Sequence, residues 1–187
     1  MKKLIIIAAL ATLPFTAVTA ADYTIDPAHT FASFAINHLS FTTIRGKFNQ
    51  QSGSMQFDPG AKKASVMIEI DATSIDTGHG KRDAHLQSPD FLNAVENPTI
   101  TFESTAVTWN GSVLATVTGD LTMLGVSKPV TLTVTSMKCG PHPFSKKETC
   151  GFDATASIKR SDYGVNYGLP TIGDTIDLQI GVEAGKG

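Results

Sequence analysis

The sequence lacks nearly every short motif by which a catalytic site is recognised. There is no G-x-S-x-G elbow, no P-loop, no Rossmann glycine fingerprint, no H-E-x-x-H and no C-x-x-C-H haem attachment. Its carboxylates are scattered without a spacing that selects a glycosidase-type pair. No catalytic residue is therefore assigned. His79 and His85 stand six apart, off the i, i+4 spacing of a helical ligand pair, and no Cys or Glu completes a familiar metal set, so no metal ion or other cofactor is expected. With only two cysteines, Cys139 and Cys150, and ten residues between them, a C-x-x-C redox centre is excluded. After the amino terminus no apolar run reaches the roughly 18 residues of a membrane span, so stable membrane insertion is not expected.

The amino terminus is the exception. Lys2 and Lys3 precede an apolar run from Leu4 to Val18, broken by Pro14, and Val18-Thr19-Ala20 offers small residues for cleavage. This is the pattern of a secretory signal peptide over 1–20, with a mature chain from Ala21 or Asp22. Its removal leaves 13 of the 15 basic side chains against 17 acidic ones, a net charge of −4. Such a balance argues against nucleic acid or anionic membrane surfaces as partners. An oxidising compartment also lets Cys139 and Cys150 join across the polar loop between them, and a disulfide is expected.

Residues 21–187 suit one domain and show no repeat or linker. Alternation of apolar and polar residues marks eight strands: 31–38, 44–57, 64–71, 99–108, 112–123, 129–138, 151–159 and 174–183, with 22–26 as a short lead-in. One face of each is dry: Val66, Ile68 and Ile70; Val113, Ala115, Val117, Leu121 and Met123; Val130, Leu132 and Val134; Phe152, Ala154, Ala156 and Ile158; Ile176, Leu178, Ile180 and Val182. Asn110-Gly111 predicts a type I′ hairpin, and Asp58-Pro59-Gly60 another turn. The expected fold is all-β, an antiparallel eight-stranded barrel, with a short helical insertion at about 78–95.

A barrel of this size holds its own side chains or one small ligand. Small inward residues (Ala32, Ala106, Ala115, Ala154, Ala156 and Gly119) favour a cavity over a filled core, and a lining of Phe, Ile, Val and Met favours a long hydrocarbon. The candidate tunnel wall is Phe34, Ile36, Val66, Ile68, Phe102, Val117, Leu132 and Leu178.

Residues 76–102 furnish a candidate mouth, since they concentrate two histidines, an arginine and three aspartates. Ser88-Pro89-Asp90 reads as a helix start, with Ser88 as N-cap and Asp90 favourable to the dipole. Arg82 and Asp83 either pair and brace the segment, or Arg82 and His85 present donors to a phosphate, quinone or amide head group. His29 and His38 flank a strand and read as solvent-facing or structural. Arg160, Asp162, Tyr163 and Tyr167 cluster in RSDYGVNYG between two strands, where they close a barrel end or line its mouth.

Four blocks, YTIDPAHTFASFAINHLSFTTIRGKF, HGKRDAHLQSPDFLNAVENPTITFES, LTMLGVSKPVTL and ATASIKRSDYGVNYG, resemble in that order the blocks of the YceI-like family of bacterial secreted proteins. The resemblance covers nearly the whole mature chain. It implies an extended, lipocalin-like barrel in the periplasm that carries a long isoprenoid, a polyisoprenoid or isoprenoid quinone, with no established catalysis. The family's recurrent polar residues fall here at Asp26, His29, His38, Arg82, Asp83, His85, Arg160 and Asp162, a low-resolution guide to the mouth. The chain departs from the pattern at Leu92, where a second aromatic is common, and at Leu124, where a polar residue is. An enzyme acting on a lipid or small amphiphile, and a ligand-free structural protein of stress responses, are the competing readings. The expected partner is a hydrophobic small molecule; a homodimer is left open.

Overall fold

The computed structural model describes residues 20–187. The expected signal peptide therefore lies, but for Ala20, outside the described residues. The alternating segments form strands β1 (Ala21–Ile25), β2 (Phe31–His38), β3 (Thr42–Phe48), β4 (Gln51–Asp58), β5 (Lys63–Asp71), β6 (Ile75–Asp76), β7 (Thr99–Asn110), β8 (Val113–Met123), β9 (Val126–Pro141), β10 (Glu148–Lys159) and β11 (Ile172–Lys186). One helix, α1 (Gly80–Leu86), interrupts them between β6 and β7.

These eleven strands build eight staves. β1 and β2 both pair with β11 and act as one bent stave. β4 pairs with β1 and β3 with β2, forming a second. β6 extends β5 past a 3-10 turn and pairs with β3. From β5 the ring passes through β7, β8, β9 and β10 to β11, every pairing antiparallel. Closure removes the unpaired edges that an open sheet would expose.

The expected strand 44–57 is thus two strands, broken at Asn49-Gln50, where Asn49 N–H bonds the Ser74 carbonyl instead of continuing the ladder. Bulges also shift the inward phase. In β7 the register slips between Ser104 and Ala106, turning Ala106 out to solvent and Val107 and Trp109 inward. A second slip at Thr108/Trp109 exposes Val113 and buries Leu114. The hairpin centre is Gly111-Ser112, with only Gly111 at positive φ (63°), the requirement of a II′ turn rather than the expected I′. Gly119 does leave room, but the Phe102 ring takes it: a Cβ there would come within 2.6 Å of Phe102 Cζ.

The interior divides into two zones. At one end Phe57 lies against Trp109 (centroids 5.7 Å), Phe152 (5.3 Å) and Tyr23 (6.4 Å), an aromatic plug surrounded by Met55, Leu114, Val117 and Ala184. Cys139 and Cys150, opposite one another on β9 and β10, form a disulfide at this end. Replacing both by serine is expected to lower stability by about 2–3 kcal/mol, because the cross-link restricts the unfolded chain; urea unfolding of the two proteins measures it.

Candidate functional site

Above the plug the barrel holds a cavity of about 590 Å³, walled mainly by aliphatic and aromatic side chains of β2, β3, β5, β7, β8, β9 and β11. That volume lies within the roughly 300–1,000 Å³ of small-molecule sites. Phe34, Ile36, Ile68, Phe102, Leu132 and Leu178 line it, as the strand faces predict. Ile68, Leu132 and Leu178 point inward yet are only half-buried, since they face the cavity and not another side chain. Val66 and Val117 do not line it. They share the inward faces but sit lower, at the level of the plug: Val117 is 7% exposed in the packed core, with Val66 packed against that core.

Where the cavity ends is set by two kinked staves. Thr30 and Gln51 are the lowest lining residues on theirs; below them come Ile25, Met55 and Phe57. Gln51 Nε2 donates to the Thr30 and Pro27 carbonyls and thereby ties the two kinks together.

Three segments frame the opposite end: the β2–β3 hairpin, helix α1 with the turns after it, and the loop 164–171. Thr42, His85 and Tyr167, one from each of these segments, line the cavity and are exposed, which locates the mouth among them; His38 and Arg82 line it nearby. His85, Phe91 and Tyr167 meet as three rings with centroids 5.0–5.2 Å apart. His85 Nε2 also contacts Asp90 Oδ2 at 2.8 Å. Leu92 lines the cavity with Phe91, so the departure from the family pattern lies on the wall itself.

Arg82 and Asp83 do not pair with each other. Both hold Thr77: Arg82 Nε donates to Thr77 Oγ1 at 2.7 Å and Nη2 to its carbonyl at 2.8 Å, while Asp83 Oδ1 accepts from Thr77 N at 2.9 Å. The segment braces itself through a threonine. The helix begins nine residues before the expected cap Ser88, with His79 as N-cap, and spans only Gly80–Leu86; Ser88-Pro89-Asp90 starts a set of turns in which Asp90 serves His85 rather than a helix dipole.

Arg160 is 2% exposed, and its guanidinium donates to four carbonyls: Gly173 (2.8 Å), Val165 (3.0 Å), Tyr167 (2.9 Å) and Ile172 (3.2 Å). It moulds the loop that carries Tyr167. Burial lowers its pKa, and the nearby Asp174 opposes that shift. Asp162 is exposed and does not line the cavity. The carboxylate that matters beside this turn is Asp174, which accepts from Ser161 N (3.0 Å) and Oγ (2.9 Å); these bonds hold its pKa below the ordinary 3.8. A carboxyl with a depressed pKa contributes its full stability above its ordinary value and loses that contribution as pH falls through the lowered, folded-state value. Asp174→Asn is therefore expected to destabilise at neutral pH and to converge on the parent once the pH falls below the lowered Asp174 pKa, as acid-unfolding curves would record.

His29 lies outside the cavity. Its Nδ1 contacts Asp26 Oδ2 at 2.8 Å, an interaction that raises the His29 pKa and lowers that of Asp26. Glu183 completes a cluster whose ligand-type atoms lie within 4.8 Å, and among the described residues this is the only group of three that could hold a metal ion. It is on the exterior, and hydrogen bonds account for its His–Asp contact.

The model of the YceI-like domain matches residues 23–184. Protein YceI of Escherichia coli O157:H7 is 41% identical over 190 aligned positions, which cover 98% of this chain and 97% of that protein. Among solved structures, Burkholderia cenocepacia BcnA superposes with a TM-score of 0.72 at 26% identity, covering 85% of this chain and 98% of that one. A polyisoprenoid binding domain from Saccharophagus degradans, implicated in plant cell wall breakdown, gives 0.67 at 16% identity over 90% of this chain and 99% of its own, a likeness of fold alone.

Proposed function

The chain belongs to the YceI-like family, and from that premise we propose that it is a periplasmic carrier which binds a polyisoprenoid or isoprenoid quinone in the barrel and does not turn it over. The single observation that supports this most is the 590 Å³ cavity, deep, apolar and floored by packed aromatic rings. Burying hydrocarbon there gains about 0.8 kcal/mol per CH₂, which polar substrates would forgo. A fold neighbour described as binding polyisoprenoid supports the ligand class. The signal-peptide pattern over 1–20 and the disulfide support the compartment.

Carriage is favoured over catalysis because the polar groups at the mouth are already engaged in holding the structure: Arg82 with Thr77, His85 with Asp90, and Arg160 with four carbonyls. A titration with all-trans prenols of increasing length tests the reading. Affinity should rise with each isoprene unit until the cavity is filled and then level off; affinity independent of length, or chemical conversion of the prenol during the titration, would contradict it.

Arg82 is assigned the role of brace rather than head-group donor. Arg82→Lys, which loses the forked geometry that reaches both Thr77 oxygens, is expected to cost about 1–2 kcal/mol of stability. Its affinities for a prenyl phosphate and for the headless hydrocarbon should fall together; selective loss of the phosphate would move Arg82 into the binding site.

A further inference from the structure

On the proposal that the ligand is a long hydrocarbon, we infer that the β2–β3 hairpin tip docks the mouth onto a neutral lipid bilayer, from which the ligand enters. Phe41 is 90% exposed and Leu39 39% exposed, and the residues that bracket them, His38 and Thr42, line the cavity. Across the mouth Tyr167 lines the cavity and is itself 49% exposed. The apolar wall therefore continues outward onto the rim. The loop that presents Phe41 is firmly made: Phe41 N–H bonds the His38 carbonyl at 3.0 Å, and Ser40 N–H bonds Asn37 Oδ1 at 2.9 Å. Leu39 and Ser40 both adopt positive φ (56° and 60°), a conformation that glycine would adopt more easily. The sequence keeps a bulky apolar residue there and holds the phenyl ring in water.

A bilayer fits this tip better than a second copy of the chain does. A stable protein interface buries about 800 Å² on each partner, far more than Leu39 and Phe41 at the hairpin tip and Tyr167 across the mouth can provide. A projecting aromatic ring, by contrast, enters the boundary between head groups and acyl chains without needing a complementary surface. The exposed charges on the segments around the mouth, Arg45, Lys81 and Lys159 against Asp90, Glu96 and Asp162, balance and offer no basic excess to attract anionic lipid. A ligand that partitions into membranes would also pass from bilayer to cavity without crossing water.

Flotation with large unilamellar vesicles of phosphatidylcholine and phosphatidylethanolamine tests the inference, using ligand-free protein so that the outcome does not depend on prenol binding. Phe41→Ser is expected to weaken vesicle binding about ten-fold, on the scale of burying one aromatic side chain. Phe144→Ser is the control, because Phe144 is equally exposed (90%) in the loop between β9 and β10, beside the disulfide at the opposite end of the barrel. It should bind vesicles as the parent does. In a second arm, transfer of a fluorescent prenol from the same vesicles should slow in Phe41→Ser while its equilibrium affinity, measured without vesicles, is unchanged. Equal vesicle binding by Phe41→Ser and parent, an equal loss in Phe144→Ser, stronger binding to phosphatidylglycerol vesicles, or a Phe41-dependent dimer in sedimentation would each overturn it. A parent that binds vesicles but no prenol would instead refute the ligand reading and leave the docking intact.

Discussion

Replacing Leu132 and Leu178 together by phenylalanine should reduce affinity for a long prenol about 50-fold while lowering stability by less than about 1 kcal/mol. Both side chains line the cavity and are half-buried, so the added rings enter space that no side chain occupies. Displacing about three methylene-sized ligand groups at about 0.8 kcal/mol each accounts for the fold-change. The contrast is Val117→Phe. Val117 is 7% exposed among the residues around the plug, where overpacking costs about 1–3 kcal/mol and leaves the cavity wall unaltered. Prenol titration and urea unfolding on both proteins separate wall from core; loss of stability without loss of binding in the double variant would mean that the two zones are wrongly divided.

The largest stability change is expected at Arg160. Arg160→Met keeps most of the apolar stem but withdraws the donors from four carbonyls, and buried carbonyls without partners cost about 1–3 kcal/mol each before the loop relaxes. A loss of about 3–5 kcal/mol is expected, with Arg160→Lys intermediate because one ammonium cannot reach four acceptors in a fixed fork. The loop should loosen with it. Tyr167, whose carbonyl bonds Arg160 and whose ring meets His85 and Phe91, should become mobile, and ligand should dissociate faster. Chemical denaturation and ligand off-rates on the same samples check both effects.

Much of the barrel was legible because strands advertise themselves by a period of two. The inward faces of β10 and β11 follow that period through Phe152, Ala154, Ala156 and Ile158 and through Ile176, Leu178, Ile180 and Val182, the last four all reaching the cavity, whereas in β9 a register shift against β10 carries the inward phase from Val134 to Met137. What interrupts the period was read less well. The break at Asn49-Gln50 was missed although the apolar phase changes parity across it, from Ile44 and Phe48 to Met55 and Phe57 over the polar run 49–54, and the bulges in β7 and β8 depend on pairing with a neighbour strand rather than on any residue type.

The boundary between cavity and core was hidden for a related reason. Val66 and Ile68 lie two apart on one face, yet only Ile68 reaches the cavity, because the floor is built by Phe57 and Trp109 from strands distant in sequence. The family pattern did bring Arg82, His85 and Arg160 to the neighbourhood of the mouth, but their partners were missed. Thr77, Asp174 and the carbonyls around Arg160 carry no sequence signal, since backbone acceptors are common to every residue. The ring cluster of His85, Phe91 and Tyr167 draws on two segments that only the folded barrel brings together.

Native mass spectrometry of the mature protein released gently from its own cells decides whether the barrel carries a lipid. The expected species is a chain without residues 1–20, with Cys139 and Cys150 oxidised, carrying one tightly held adduct whose mass after extraction is that of a polyisoprenoid or isoprenoid quinone. Protein that emerges folded and oxidised but consistently without a hydrophobic adduct, and that takes up no prenol when offered one, would contradict it.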